Sequence, residues 1–265
     1  MMKRFLPLVF AALLVVACGK DKKENEEPVI TKTEEVAPLT FEKKYYQETS
    51  TIPCKEDCPV VKIEVPEAGG NKKVARVIND SVFSKVKELI YFGEKPYNAT
   101  TYSELMKSFM QSYEELKKEF PEETMGWEGT VKGDVSYRSD KVLNITLSSY
   151  VYTGGAHGNQ GDYSLLFDPN NGKPLEYRDL FNDVNGFTDY AEKRFRQEFK
   201  ISEMAPINDD GLMFEDEKFA LPNNIFFEED GLLLFYNTYE ISSYADGPKK
   251  LKLSYKDIEE YLKVK

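Results

Sequence analysis

Between Pro59 and Ala68 the chain reads PVVKIEVPEA, apolar and polar residues in alternation, and the glycine pair Gly69 and Gly70 follows. Period two closed by glycine predicts a β-strand. At Asn71 the period changes. Val74, Val77, Ile78, Val82, Val86 and Leu89 recur at helical steps while Lys73, Arg76, Lys85 and Lys87 fall elsewhere, which predicts an amphipathic helix. A second helix carries Tyr102, Leu105, Met106, Phe109, Tyr113, Leu116 and Phe120 on one stripe and is stopped by Pro121. An aromatic stripe at this spacing reads as core.

The period then drops to two. Val131, Val135 and Tyr137 alternate with polar residues, and after the Ser139-Asp140 turn Leu143, Ile145, Leu147 and Val151 do the same, which predicts a hairpin with one buried face. Ser164 to Phe167 resumes as strand, and Phe187, Ala191, Phe195 and Phe199 return at helical steps of four. Ile225 to Phe227 and Leu232 to Tyr239 flank the turn EEDG, a second hairpin. Leu251 and Leu253 alternate with lysines, and Ser254 with Asp257 caps a short last helix. Antiparallel sheets with helices packed on one face, in two closely associated modules, make an α+β architecture. We place the modules at 39–160 and 161–265.

The N-terminus differs from all of this. Lys3 and Arg4 precede an apolar run, Phe5 to Ala17, of thirteen residues, too short to span a bilayer as a helix. It reads as a secretory signal, 1–17, and Val15, Val16 and Ala17 before Cys18 resemble the lipobox of bacterial lipoproteins. That predicts cleavage before Cys18, lipidation of its thiol and attachment to a membrane. Residues 18–38 are polar and charged and read as a flexible tether. The protein is thus expected in the bacterial cell envelope, periplasmic or at the outer-membrane surface. Its formal charge of -11 lacks the basic footprint of a nucleic-acid binder and favours basic partners instead.

Candidate chemistry is sparse. Cys54 and Cys58, in TIPCKEDCPV, are the only other cysteines and outside the cytoplasm read as a local disulfide. So short a loop adds about 2 kcal/mol at best. Two thiolates and one remote histidine do not make the roughly four ligands of a zinc site. The sequence has no GxSxG, HExxH, P-loop or helix-opening GxGxxG, so no cofactor is implied. DPNNG at Asp168 and INDDG at Ile207 lack calcium-loop spacing and read as turns. The sequons at Asn98 and Asn144 carry little weight in a bacterial lipoprotein. His157, the single histidine, stands in TGGAHGNQG. Glycines there permit positive φ and close backbone approach. In one reading His157 holds the loop's own backbone. In the other Tyr152, Gly154, Gly155, His157 and Asn159 contact a ligand, with Tyr244 of the Ser242–Pro248 loop as neighbour because both loops end strands. A hydrolase would need His157 paired with a carboxylate.

The blocks YVYTGGAHGN and SLLFDPNNGKPLEYRDLF, with YEISSYADGPKKLKLSYKDI near the end, resemble the bacterial extracytoplasmic family called domain of unknown function 3298. Its usual companion, domain of unknown function 4163, would occupy about residues 40–160. The resemblance implies an α+β extracytoplasmic module found in cell-envelope proteins. One similar protein is a lysozyme-binding ectodomain of an anti-sigma factor, and another is joined to a separate peptidoglycan deacetylase domain. This chain shows neither an anti-sigma segment nor the deacetylase Asp/His metal ligands. The resemblance therefore points to binding of a lysozyme-type protein, or of a peptidoglycan fragment stacked on Trp127 or exposed tyrosines.

Overall fold

The computed structural model describes residues 37–94, 96–122 and 126–264. Residues 1–36, which include the stretch read as a signal, Cys18 and most of the stretch read as a tether, lie outside the described residues. Among those described, no helix is long and apolar enough to cross a membrane. Val36–Lys265 form one compact unit.

A five-stranded sheet runs in the order β1 (Thr40–Thr49), β2 (Val60–Gly69), β3 (Glu128–Arg138), β4 (Leu143–Tyr152) and β5 (Asn159–Phe167). All neighbours are antiparallel except β2 and β3, which are parallel. A parallel pair needs a crossover, and α1 (Lys72–Leu89) with α2 (Tyr102–Glu119) supplies it. The expectation of purely antiparallel sheets is refined on this point. Asn71 caps α1 by accepting from the amides of Lys73 and Val74, and Thr101 caps α2 through the amide of Glu104. Val74, Ile78, Val82 and Val86 of α1 and Leu105, Phe109 and Tyr113 of α2 close over Val61, Ile63, Val65, Leu143, Ile145 and Leu147. Strand β1, with its run TFEKKYYQET, has no clear sequence signature.

A second core sits at the other end of the sheet. Here α3 (Tyr177–Leu180), α4 (Val184–Glu198), the strands β6 (Asn224–Phe227), β7 (Gly231–Tyr236) and β8 (Lys249–Ser254), and α5 (Tyr255–Ile258) pack around Phe187, Phe195, Leu232, Leu234, Leu251 and Leu253. The boundary placed at 160/161 meets the start of β5, which pairs with β4 along its length, so the first sheet extends to Phe167. Asparagine amides join the two cores. Asn237 takes the amide of Asp162 at 2.9 Å and gives its own NH2 to the Asp162 carbonyl at 2.8 Å. Asn224 accepts from the amide of Ser164 at 3.1 Å. These side chains occupy outward backbone groups of β5 that would otherwise leave an open edge.

Cys54 and Cys58 are bonded, with their Cα atoms 5.6 Å apart. Glu114 of α2 fastens this connection by accepting from Ser50 Oγ at 2.8 Å, Thr51 N at 2.7 Å and Thr51 Oγ1 at 2.8 Å. The bonds from Thr51 hold the Glu114 carboxyl below its ordinary range. A depressed carboxylate stabilises the fold above its unfolded pKa and loses that contribution as pH falls through the folded value. Protection of the Thr51 amide, corrected for intrinsic exchange, is therefore expected to drop below about pH 4. In Glu114→Gln it is expected to be low and flat with pH, and unchanged protection in that variant would show that the latch does not hold the loop.

Candidate functional site

The connection from β4 to β5 contains the glycine-rich stretch. Gly154 and Gly155 adopt φ of +107° and +92°, a region that L side chains rarely enter. Gly158 and Gly161 make room for neighbouring side chains. A Cβ at Gly158 would lie 2.4 Å from the Tyr150 ring, and one at Gly161 2.5 Å from the Tyr163 hydroxyl. Tyr152 donates its hydroxyl hydrogen to the Gly155 carbonyl at 3.1 Å. The loop is thus shaped by two turn glycines and two that seat aromatic rings.

His157 is exposed. Its Nδ1 bonds the Gly158 carbonyl at 3.0 Å, and because a carbonyl only accepts, Nδ1 carries the proton in this contact. The ring stacks on Tyr244 with centroids 3.8 Å apart and planes at 16°, and Tyr244 is followed by Tyr239 at 5.9 Å. The structure therefore joins the two loops placed side by side by sequence reasoning. His157 bonds its own backbone and also presents a face to a residue from the other core. Asn159 stands exposed at the first position of β5, opposite Val151.

Tyr239 was not marked by its sequence context. Its φ is +69° and its side chain is 59% exposed, a backbone geometry that costs a non-glycine residue about 1–3 kcal/mol. The surrounding turn holds it there. The Tyr239 amide donates to the Ser242 carbonyl at 3.0 Å, and Glu240 accepts from the amides of Asn223 at 2.7 Å and Asn237 at 2.9 Å. Buried Ser242 donates to the Gly247 carbonyl at 2.7 Å, closing the loop under Tyr244. A bulky aromatic residue held in a sparsely populated conformation, with its ring in solvent, contributes little to the core.

Beside Gly154 and Gly155 lies a cleft of about 330 Å³ whose far wall is Tyr113, Leu116 and Phe120. Phe120 is half exposed. Trp127 also lines the cleft, but it is 3% exposed and packed among Phe92, Phe109 and Tyr113 at 4.5, 5.4 and 5.7 Å. The expectation of Trp127 as an open stacking platform is corrected: it is a core residue, because the β3 start places it under α2. Among the described residues no carboxylate bonds His157, and no three His, Cys, Asp or Glu side chains converge where a metal ion could sit. Asp168 is engaged by Asn170 and Asn171, a turn held by its own side chains.

Residues 52–160 match the family described as Deacetylase PdaC, and residues 178–256 match the protein family of unknown function DUF3298. The first match covers most of the span assigned to the companion module. No curated protein matches the chain. A solved structure of a DUF3298 family member from Bacteroides fragilis NCTC 9343 is 22% identical, with a TM-score of 0.65 over 86% of this chain and 94% of that one. A DUF3298 family protein from Pseudomonas aeruginosa PAO1 is 20% identical, with a TM-score of 0.62 over 86% and 96%. At these identities the likeness concerns the fold.

Proposed function

We propose that this chain, which carries a PdaC-type module followed by a DUF3298 module, is a non-catalytic binding protein of the bacterial cell envelope, anchored by lipid at Cys18, that grips a protein ligand through the His157–Tyr244–Tyr239 ladder. A lysozyme-type muramidase is the ligand this reading assigns. The ladder is the observation that carries it. Three aromatic rings stand in sequence across both halves of the fold, two of them more than a third exposed as tyrosines, and one is held in a strained backbone. Exposed tyrosines supply large contact area at low entropic cost, which is why they anchor binding surfaces. A net charge of -11 adds long-range attraction for a basic partner.

The word deacetylase belongs to the family matched at 52–160. In this chain the single histidine of that span gives Nδ1 to a backbone carbonyl and has no carboxylate bonded to it among the described residues, which supports binding over hydrolysis. A peptidoglycan fragment is the second ligand class, favoured by the cleft of about 330 Å³ between Gly154, Gly155 and Phe120.

A titration of Val36–Lys265, the compact unit, against a basic lysozyme with an unrelated basic protein as control tests this. Binding is expected to survive physiological salt, and Tyr244→Ala is expected to weaken it about tenfold or more. The same substitution should hardly move the melting temperature, since an aromatic stack adds about 0.5–1.5 kcal/mol even when buried. No binding beyond the control removes the lysozyme assignment. Binding that Tyr244→Ala leaves intact removes the ladder.

A further inference from the structure

The first turn of α2 borders a second cavity, roughly 20 Å along the helix from the glycine-rich cleft. It measures about 380 Å³ and opens between α1, α2 and the β1–β2 pair, at the small end of the range for ligand sites. Tyr46 and Tyr102 stack there with centroids 4.8 Å apart, and Phe83 meets Tyr102 edge-on at 5.0 Å. All three rings are half-buried, and Glu67 and Asp80 stand exposed at the rim.

The polar groups of this cavity divide into two sets. Asn79 is engaged on both sides by the Ala68 backbone, at 2.8 and 3.0 Å. Thr100 and Thr101 are engaged with Glu104, whose carboxylate also meets the positive end of α2. The second set is unengaged. Among the described residues the hydroxyls of Tyr46 and Tyr102 make no hydrogen bond, and Glu67 makes neither a hydrogen bond nor an ion pair. Burial, the neighbouring Tyr46 and Glu67 raise the pKa of Tyr102, and burial and Glu67 raise that of Tyr46 against the opposing pull of Lys44, so both phenols stay neutral beside a carboxylate. The neighbouring cations make their ion pairs elsewhere, although the Lys44 charge is also felt by Glu67 and Tyr46. Lys44 gives its ammonium to Glu42 at 2.8 Å, and Arg76 reaches Asp80 at 3.6 Å with both side chains largely exposed.

Aromatic walls, two phenol oxygens and a carboxylate without an ion-pair partner among the described residues describe the chemistry that receives an organic cation. We propose that this cavity binds a compact organic cation, an alkylammonium or guanidinium group, with Glu67 as its counter-ion, Tyr46 and Tyr102 as acceptors and the rings as its apolar contact. The site lies apart from the aromatic ladder and stands or falls independently of it. Its ligand is either a free amine or guanidine, or a lysine or arginine side chain, and both present the same group.

Titration of the full chain, followed through the amide resonances of Glu67, Asn79 and Tyr102, tests the assignment. The probes are tetramethylammonium, n-butylammonium and methylguanidinium as free cations, Gly-Lys-Gly and Gly-Arg-Gly as side-chain carriers, and acetate and tert-butanol as anionic and neutral controls. Saturable shifts are expected with the cations and not with the controls. Tighter binding of the tripeptides than of the free cations assigns the site to a protein side chain, and the reverse assigns it to a small molecule. Glu67→Gln, on an exposed residue that the fold does not need, is expected to weaken binding about tenfold, and Tyr102→Phe severalfold. The proposal is overturned by the absence of saturation with every cation at about 10 mM, by equal binding of acetate, or by a Glu67→Gln variant that binds as the parent does.

Discussion

Replacing Phe195 with alanine is expected to destabilise the protein by about 3–5 kcal/mol, the cost of emptying a large closed core position. The residue is fully buried near the C-terminal end of α4. Its ring lies 4.3 Å from Phe199, 5.5 Å from both Phe214 and Phe219, and 5.7 Å from Tyr236. Phe214 and Phe219 belong to the stretch between α4 and β6, whose only regular structure is two short 3-10 turns. That stretch has no strand ladder; side-chain bonds from Arg196 and Asn208 tie parts of it, and the contact of Phe214 and Phe219 with Phe195 gives it its apolar anchor. The loss should therefore appear twice: as a melting midpoint lower by about 10 °C in a unit of this size, and as faster proteolysis between Ile201 and Leu221. Phe195→Leu, which keeps most of the volume, is expected to cost much less. A loss under about 1 kcal/mol for the alanine variant would mean that the segment is held elsewhere.

Much of the architecture could be read from residue order, and the unread parts share a physical cause. Helices α1, α2 and α4 announce themselves because each lays one stripe on a core; their caps, Asn71, Thr101 and Asp183, emerge only in the fold. Strand β1 does not, because an edge strand with exposed Glu42, Lys43 and Tyr45 and no fully buried residue buries too little to impose an apolar alternation. The parallel pairing of β2 with β3 is equally hidden, since pairing across two helices leaves no local trace. At the candidate site the crowding of glycines was legible, and Tyr244 was placed near it by the order of strands. Tyr239 was not, because a positive φ at tyrosine is imposed by Ser242 and by the turn around it. Trp127 shows the converse limit: an isolated tryptophan reads the same whether it faces a ligand or a core.

The asparagines at the junction were the least legible of all, since Asn144 looks like a sequon, Asn237 falls inside the run Leu232 to Tyr239 and Asn224 stands just before the run that starts at Ile225. In the fold Asn144 is completely buried. Its Oδ1 accepts from the amide of Phe227 at 2.9 Å, which fixes the orientation of the side chain. Its NH2 donates to Ser164 Oγ at 2.9 Å, and Ser164 in turn donates to the Ile225 carbonyl at 2.6 Å. One amide thus ties β4, β5 and β6 together. Asn144→Leu keeps the volume and leaves the buried Phe227 amide without a partner, so it is expected to cost about 2–4 kcal/mol, with little dependence on pH.

Asn144→Asp separates hydrogen bonding from size. A buried aspartate at this position would have its pKa raised, so its penalty is absent below the unfolded value of about 4 and grows as pH rises above it. Denaturation of the two variants across pH is expected to show a flat loss for leucine and a rising one for aspartate. The junction also sets where the second core's loop meets the first core's, and so whether Tyr244 lies under His157. Both variants are accordingly expected to weaken binding at the proposed ladder as well as the fold. A leucine variant of parental stability would place the tie between the two cores on Asn224 and Asn237 instead.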